Sequence, residues 1–429
     1  MRTRRHGRRL LLWVVIAAAL TLSVAACGGG GDEEGAAPAE PPPAEPAPAD
    51  TGAPAEPAPA EPAPAEPAPA EPAEGGALPD LAYVEEQINT FKAIPEFVPP
   101  GPPFDASQAQ GKTIFNIPIS SEIPFVQTID QSMMEVAERF GIEFIEFPNQ
   151  GQPSQWVQGI SQAIAQKVDL IVLQGAPDPA VLQPQLEQAE EAGIPVMLGH
   201  IWDEEEPLPP NVDAAVPVPF KTAARLEADW VILDTQGEAS VLVITSDEVV
   251  PSKGIVGAIQ EEFETRCGPG CKVRVVNVPV TEWATKIQTE VQSAILSDPE
   301  LNYVIPIYDS MSQFVVPGIT AAGAKGRVEI ATFNGTPFVM KMLQDDDDVV
   351  MEVGENLAWI GWANMDQAMR ILTGQPPVLS PPLSGEQHYL VLRVFDDTNI
   401  DETGTPPGVD VGYGDAYVTG YLDLWGAAQ

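Results

Sequence analysis

Side chains able to do covalent chemistry are scarce in this chain. Its 429 residues hold only three histidines and three cysteines. Once an N-terminal basic segment is set aside, His200 and His388 are the histidines that remain. Cys267 and Cys271 bracket Gly-Pro-Gly, a turn that brings two Cα atoms within bridging reach. In an exported chain that pair is expected to be a disulfide, which removes it from nucleophilic work. It also lacks the further ligands and the nearby histidine that a zinc site requires. There is no Gly-rich phosphate loop, no His-Glu-x-x-His and no Gly-x-Ser-x-Gly. The run Asp345–Asp348 invites a calcium reading, but it has neither the alternating ligand spacing nor the glycine of a calcium loop. It reads as a solvated turn. A carboxylate pair for glycoside hydrolysis is a spatial property, and the sequence alone does not display it.

The elements that position any site are plainer. Lys167–His200 reads KVDLIVLQGAPDPAVLQPQLEQAEEAGIPVMLGH. Val168–Leu173 is a short apolar run suited to a strand buried on both faces. Asp178 can cap a helix and Pro179 suits its first position; Pro184 offers a later start as the alternative. Leu182, Leu186 and Ala189 form one helical face, Gly193 fits the stop, and Ile194–Leu198 is the next strand. Such a strand–helix–strand unit predicts two neighbouring parallel strands joined by a right-handed crossover. Ligands in such sheets sit beyond the carboxyl ends of the strands, here Gln174–Ala176 and Gly199–Trp202. The same alternation precedes this stretch from Gly111 and restarts after Val216–Phe220, running to a helix over Leu357–Leu372 with Gly374 beyond it. It predicts an α/β fold with parallel sheets. About 350 residues exceed one such sheet and suit two domains.

From about Lys112 to about Gly374 the chain resembles the sugar-binding, ribose-like subfamily of type I periplasmic binding proteins. The likeness is carried by the strand "VDLIVL", the polar turn, the helix, and "AGIPV" before a polar residue. It implies two lobes, each a mostly parallel sheet flanked by helices, with several hinge crossings near Pro217, Glu355 and Phe395. It also implies a cleft in which aromatic faces cover a sugar ring and polar side chains take its hydroxyls. Carried over residue by residue, the cleft positions are Glu122 and Phe125 in the first loop, and His200 and Trp202 after the second strand of the unit. In the other lobe they are Lys253, Trp283, Tyr308, Asp309, Asn334 and Glu355. Several have structural alternatives: Phe125 equally suits a core, Trp202 an acidic surface loop, Trp283 a helix cap and Asp309 an N-cap. His200, Asn334 and Glu355 replace the family's usual polar residues, and no arginine is visible at the site. Glu122, Asp309 and Glu355 without an arginine would also suit a cationic or amine-bearing ligand.

The chain opens on five arginines followed by an apolar stretch over Leu10–Leu20, then Val24-Ala25-Ala26-Cys27. This pattern predicts a lipoprotein signal over 1–26, with Cys27 as the lipidated residue. An Ala/Glu/Pro-rich linker over 27–78 follows, repeating every five residues at Glu56, Glu61, Glu66 and Glu71. Fully stretched it would reach roughly 150 Å. Residues 79–110 form a lead-in, 111–217 and 356–394 the expected first lobe, and 218–355 and 395–429 the second. The net charge of -41 excludes nucleic-acid binding through phosphates and makes a covalent membrane anchor reasonable. The resulting expectation is a monomeric, non-enzymatic solute-binding lipoprotein on the outer face of the cell membrane. It would need no metal or cofactor, and would hand a sugar-like ligand to an ABC importer permease. The alternatives are a receptor presenting ligand to a membrane kinase, or a secreted glycosidase.

Overall fold

The structure, a computed structural model, describes residues 78–175, 179–204, 206–379 and 390–427. The expected signal, the Cys27 anchor, the linker to residue 77, Asp178 and His388 lie outside them. Among the described residues no helix is long and apolar enough to cross a membrane.

The first sheet uses β1 (Thr113–Pro118), β2 (Glu143–Glu146), β3 (Leu170–Gln174), β4 (Val196–Asp203) and β5 (Ala214–Val218), in the order β2-β1-β3-β4-β5. All its pairings are parallel. The second sheet uses β6 (Ser240–Thr245), β7 (Lys272–Asn277), β8 (Tyr303–Pro306), β9 (Glu329–Asn334), β10 (Val349–Glu355) and β11 (Leu392–Phe395), in the order β11-β10-β9-β8-β6-β7. It is parallel except for β11, which joins antiparallel at one edge. Residue choice follows position. β3, β6 and β8 are buried at every residue, as strands covered on both faces must be. β7, at the other edge, reads Lys-Val-Arg-Val-Val-Asn and buries none of its residues fully.

Helices cover both sheets: α1 (Leu81–Phe91), α2 (Pro124–Phe140), α3 (Pro153–Gln166), α4 (Gln183–Glu191), α5 (Phe220–Asp234), α6 (Ser252–Glu262), α7 (Trp283–Ser297), α8 (Ser312–Ala321), α9 (Pro337–Gln344), α10 (Leu357–Leu372) and α11 (Ala416–Leu424). Pro184 falls in the first turn of α4, where its missing N–H costs nothing. Gly361 lets α10 lie against α2: a Cβ there would stand 2.6 Å from the Ser132 Cβ. Ser132 Oγ donates to the Ala358 carbonyl across the same contact, at 3.0 Å.

The chain passes from the first sheet to α5 after Val218, and from β10 back to α10 after Glu355. The expected partition gave the lead-in no lobe, put Leu392–Val394 in the first lobe and put α11 in the second. α1 packs on α5, so the lead-in begins on the second lobe and crosses to the first before β1. The C-terminal segment is divided. β11 extends the second sheet, whereas α11 packs on α10 of the first lobe. There the Trp425 ring stacks on Trp362 at 5.2 Å, and its Nε1 donates to Asp366 at 2.8 Å. Trp359 is likewise packing, stacked on Tyr417 at 5.0 Å. Cys267 and Cys271 are joined by a disulfide. In the acidic run, Asp345 pairs with Lys341, Asp347 with Lys325, and Asp348 accepts from the Gly326 amide. No group able to hold a metal ion occurs among the described residues.

Candidate functional site

The carboxyl ends of both sheets face one cavity, a space of about 490 Å³ including its open mouth. The first lobe contributes Ile119 after β1, Ile123 with Phe125 and Val126 at the start of α2, Gly175 after β3, and His200 of β4. The second lobe contributes Phe220, Val249, Pro251 and Val280. It adds Trp283 at the head of α7, Tyr308 and Ser310 after β8, and Asn334 at the end of β9.

Two residues hold unusual backbone conformations here. His200 has φ of 47°, and the pairing of β4 with β5 shifts register between Leu198 and Trp202. Such an irregularity re-aims a side chain, and here it turns the imidazole toward the other lobe. Asn334 has φ of 145°. The next residue must be small: a Cβ on Gly335 would lie 2.8 Å from the Glu355 carbonyl. Strained positions of this kind persist where the surroundings over-determine them, and they gather at functional sites.

The surroundings are visible. His200 Nε2 lies 2.6 Å from Glu355 Oε2, and Asn334 Nδ2 donates to the same oxygen at 3.3 Å. One buried carboxylate thus joins a first-lobe strand to the end of β9, at the point where β10 gives way to α10. Asn356 caps that helix by accepting from the Trp359 amide. The His200 ring packs edge-on against Phe125 at 4.8 Å and Phe220 at 5.3 Å.

The remaining polar groups of the wall are also engaged. Trp283 Nε1 donates to Ser246 Oγ at 2.8 Å and to the Val278 carbonyl at 3.2 Å. The Tyr308 hydroxyl bonds Ser252 Oγ at 2.8 Å, and burial pushes its pKa up, so it stays protonated. Beneath the wall, Asp309 accepts from the Thr336 amide at 2.6 Å and the Thr336 hydroxyl at 2.7 Å. Burial nevertheless raises it to about 6, with the Thr336 and Ser310 hydrogen bonds opposing. Its neighbour Glu352 is raised well above the usual carboxylate range, first by burial and then by the Asp309 charge.

Of the residues expected at the cleft, Phe125, His200, Trp283, Tyr308 and Asn334 line the cavity. Glu355 stands directly behind His200 and Asn334, and Asp309 lies beneath with no exposed surface. Three lie elsewhere. Glu122 is exposed and accepts from Gln150. Trp202 turns its Nε1 to the carbonyls of Glu206 and Pro207. Lys253 points to solvent from the first turn of α6. The sequence points to the strand end at Gly175 but not to the aliphatic lining. Its only signal in the sequence is position, because Ile119, Gly175, Val249 and Val280 each follow the carboxyl end of a strand.

The sequence matches the periplasmic binding protein domain over residues 114–376. Similar solved structures include a sugar ABC transporter subunit from Rhodobacter sphaeroides 2.4.1, at 20% identity and TM-score 0.57, covering 68% of this chain and 99% of that one. A solute-binding protein from Agrobacterium vitis with bound allitol is 18% identical, with TM-score 0.59, covering 69% and 99%. One from Bacillus halodurans C-125 with bound myo-inositol is 16% identical, with TM-score 0.59, covering 70% and 99%. No curated protein sequence matches. The two mostly parallel sheets, the repeated crossings and the cavity between strand ends are the type I form of this fold, and the chain belongs to the periplasmic binding protein domain family.

Proposed function

We propose that this protein is an exported, lipid-anchored solute-binding component of an ABC importer, and not an enzyme. Its lobes close on a small molecule and deliver it to a membrane permease. The cavity carries this reading, because each lobe supplies part of one wall and the chain crosses between lobes beside it. That geometry suits hinge closure, in which ligand contacts made only in the closed state stabilise it. The buried carboxyl groups Asp309 and Glu352 lie behind the lining rather than in it, which disfavours the glycosidase alternative. The similar structures hold allitol and myo-inositol, small molecules of the size this cavity admits, and Phe125 and Trp283 offer aromatic faces to a bound ring. Anchoring rests on Cys27 and the small residues before it. The linker would hold the lobes away from the membrane.

The test is mass spectrometry of the full chain purified without denaturation from its host membranes. A small molecule retained at one per chain is expected, and Cys27→Ser should release the protein from the membrane fraction. A chain carrying no small molecule under conditions that preserve binding would contradict the solute-binding reading. Unchanged membrane retention of the variant would contradict the anchor.

A further inference from the structure

Resting on that solute-binding reading, we infer that the cavity takes a compact, largely apolar ring-sized molecule with one hydrogen-bonding group, rather than a polyhydroxylated sugar. The wall is built chiefly from aliphatic and aromatic side chains. Ile119, Ile123 and Val126 of the first lobe face Val249, Pro251 and Val280 of the second, with Phe125, Phe220 and Trp283 closing the ring.

A sugar site presents unspent donors and acceptors to the ligand. Here the side-chain donors are largely spent within the protein. His200 Nε2 and Asn334 Nδ2 both meet Glu355, and Trp283 Nε1 goes to Ser246 and Val278. Tyr308 is held by Ser252, and Ser310 Oγ donates to Asp309 at 3.2 Å. Among the described residues no aspartate, glutamate, lysine or arginine reaches the lining. A ligand with a permanent charge would therefore give up hydration for nothing, and each sugar hydroxyl buried without a partner would weaken binding by about five- to hundredfold. Among the described interactions, Asn334 Oδ1 and the second ring nitrogen of His200 carry no hydrogen bond. Both residues line the cavity and share the Glu355 contact, so this end suits a single hydroxyl, amine or carbonyl group. The positive φ of both residues then has a use: it fixes one polar corner in an otherwise apolar chamber.

Cyclohexanol and myo-inositol are matched probes, with the same six-membered carbocycle carrying one hydroxyl or six. Ligand-observed NMR titration of the full chain should give cyclohexanol a Kd at least a hundredfold below that of myo-inositol. Ile123→Trp, a partly exposed lining position, should fill the space and weaken cyclohexanol at least tenfold. Val280→Trp is the second variant should the first fail to fold. Equal or tighter binding of myo-inositol overturns the inference while leaving solute binding intact. No cyclohexanol binding in the millimolar range also overturns it, as does binding untouched by either folded variant. Failure of the solute-binding reading itself is read separately, by the absence of any co-purified small molecule.

Discussion

Removing the bridge between His200 and Glu355 should destabilise the chain in a way the two residues share. Both are buried, and Glu355 accepts from His200 at 2.6 Å and Asn334 at 3.3 Å. Glu355→Ala leaves two buried nitrogens without their acceptor. At about 1–3 kcal/mol for each stranded group, with partial relief from water entering the cavity, the cost is about 2–4 kcal/mol. His200→Phe keeps a ring between Phe125 and Phe220 but leaves a buried carboxylate with one weak donor, which costs about 3–5 kcal/mol. In the double variant neither partner is stranded by the other, so its cost should fall short of the sum by about 1.5–3 kcal/mol. Urea denaturation of the full chain and the three variants, followed by tryptophan fluorescence, measures this coupling. Additivity within about 0.5 kcal/mol would show that the bridge does not join the lobes, and would refute the reasoning.

Three further outcomes follow from the same structure. Asp309 is raised to about 6 from an ordinary 3.8, so its contribution to stability is fully present below about pH 3.8 and is lost as pH rises through about 6. Asp309→Asn should flatten that part of the stability–pH curve, worth about 3 kcal/mol, and an unchanged curve would place the titration elsewhere. Reducing the Cys267–Cys271 disulfide, which closes a short loop four residues apart, should cost about 2 kcal/mol and expose two thiols to labelling. Trp283→Ala should weaken solute binding about tenfold or more in calorimetry with the co-purified ligand, because a stacking face is lost. Wild-type affinity would remove Trp283 from the binding surface.

Legibility in the sequence differed between scaffold and site. Buried parallel strands such as β6 carry an apolar run, Val241–Ile244, and α10 announces itself with the Asn356 cap and the glycine after Thr373, so both stand out. β11 and α11 do not. Their burial comes from partners far along the chain, Glu352–Glu355 for the strand and the Trp362 face for the helix, and no local pattern encodes that. Of the residues that line the cavity, His200 is marked in the sequence by ending an apolar strand, while Trp283 and Asn334 are reached only through the family resemblance. The site was not legible where the wall is aliphatic, because Ile119 or Val280 at a strand end reads the same as core. Nor does sequence distinguish a residue facing a cavity from one behind its wall. Asp309 and Glu355 lie behind, while Lys253, two residues after the lining residue Pro251, points to solvent.

The most direct measurement is a crystal structure of the chain with its co-purified ligand retained. The expected result is one small molecule enclosed between the lobes, touching Phe125 and Trp283, with its polar group against His200 and Asn334. A ligand bound outside this cavity, or lobes that close with the cavity empty while ligand sits elsewhere, would contradict the assignment of the cavity as the binding site.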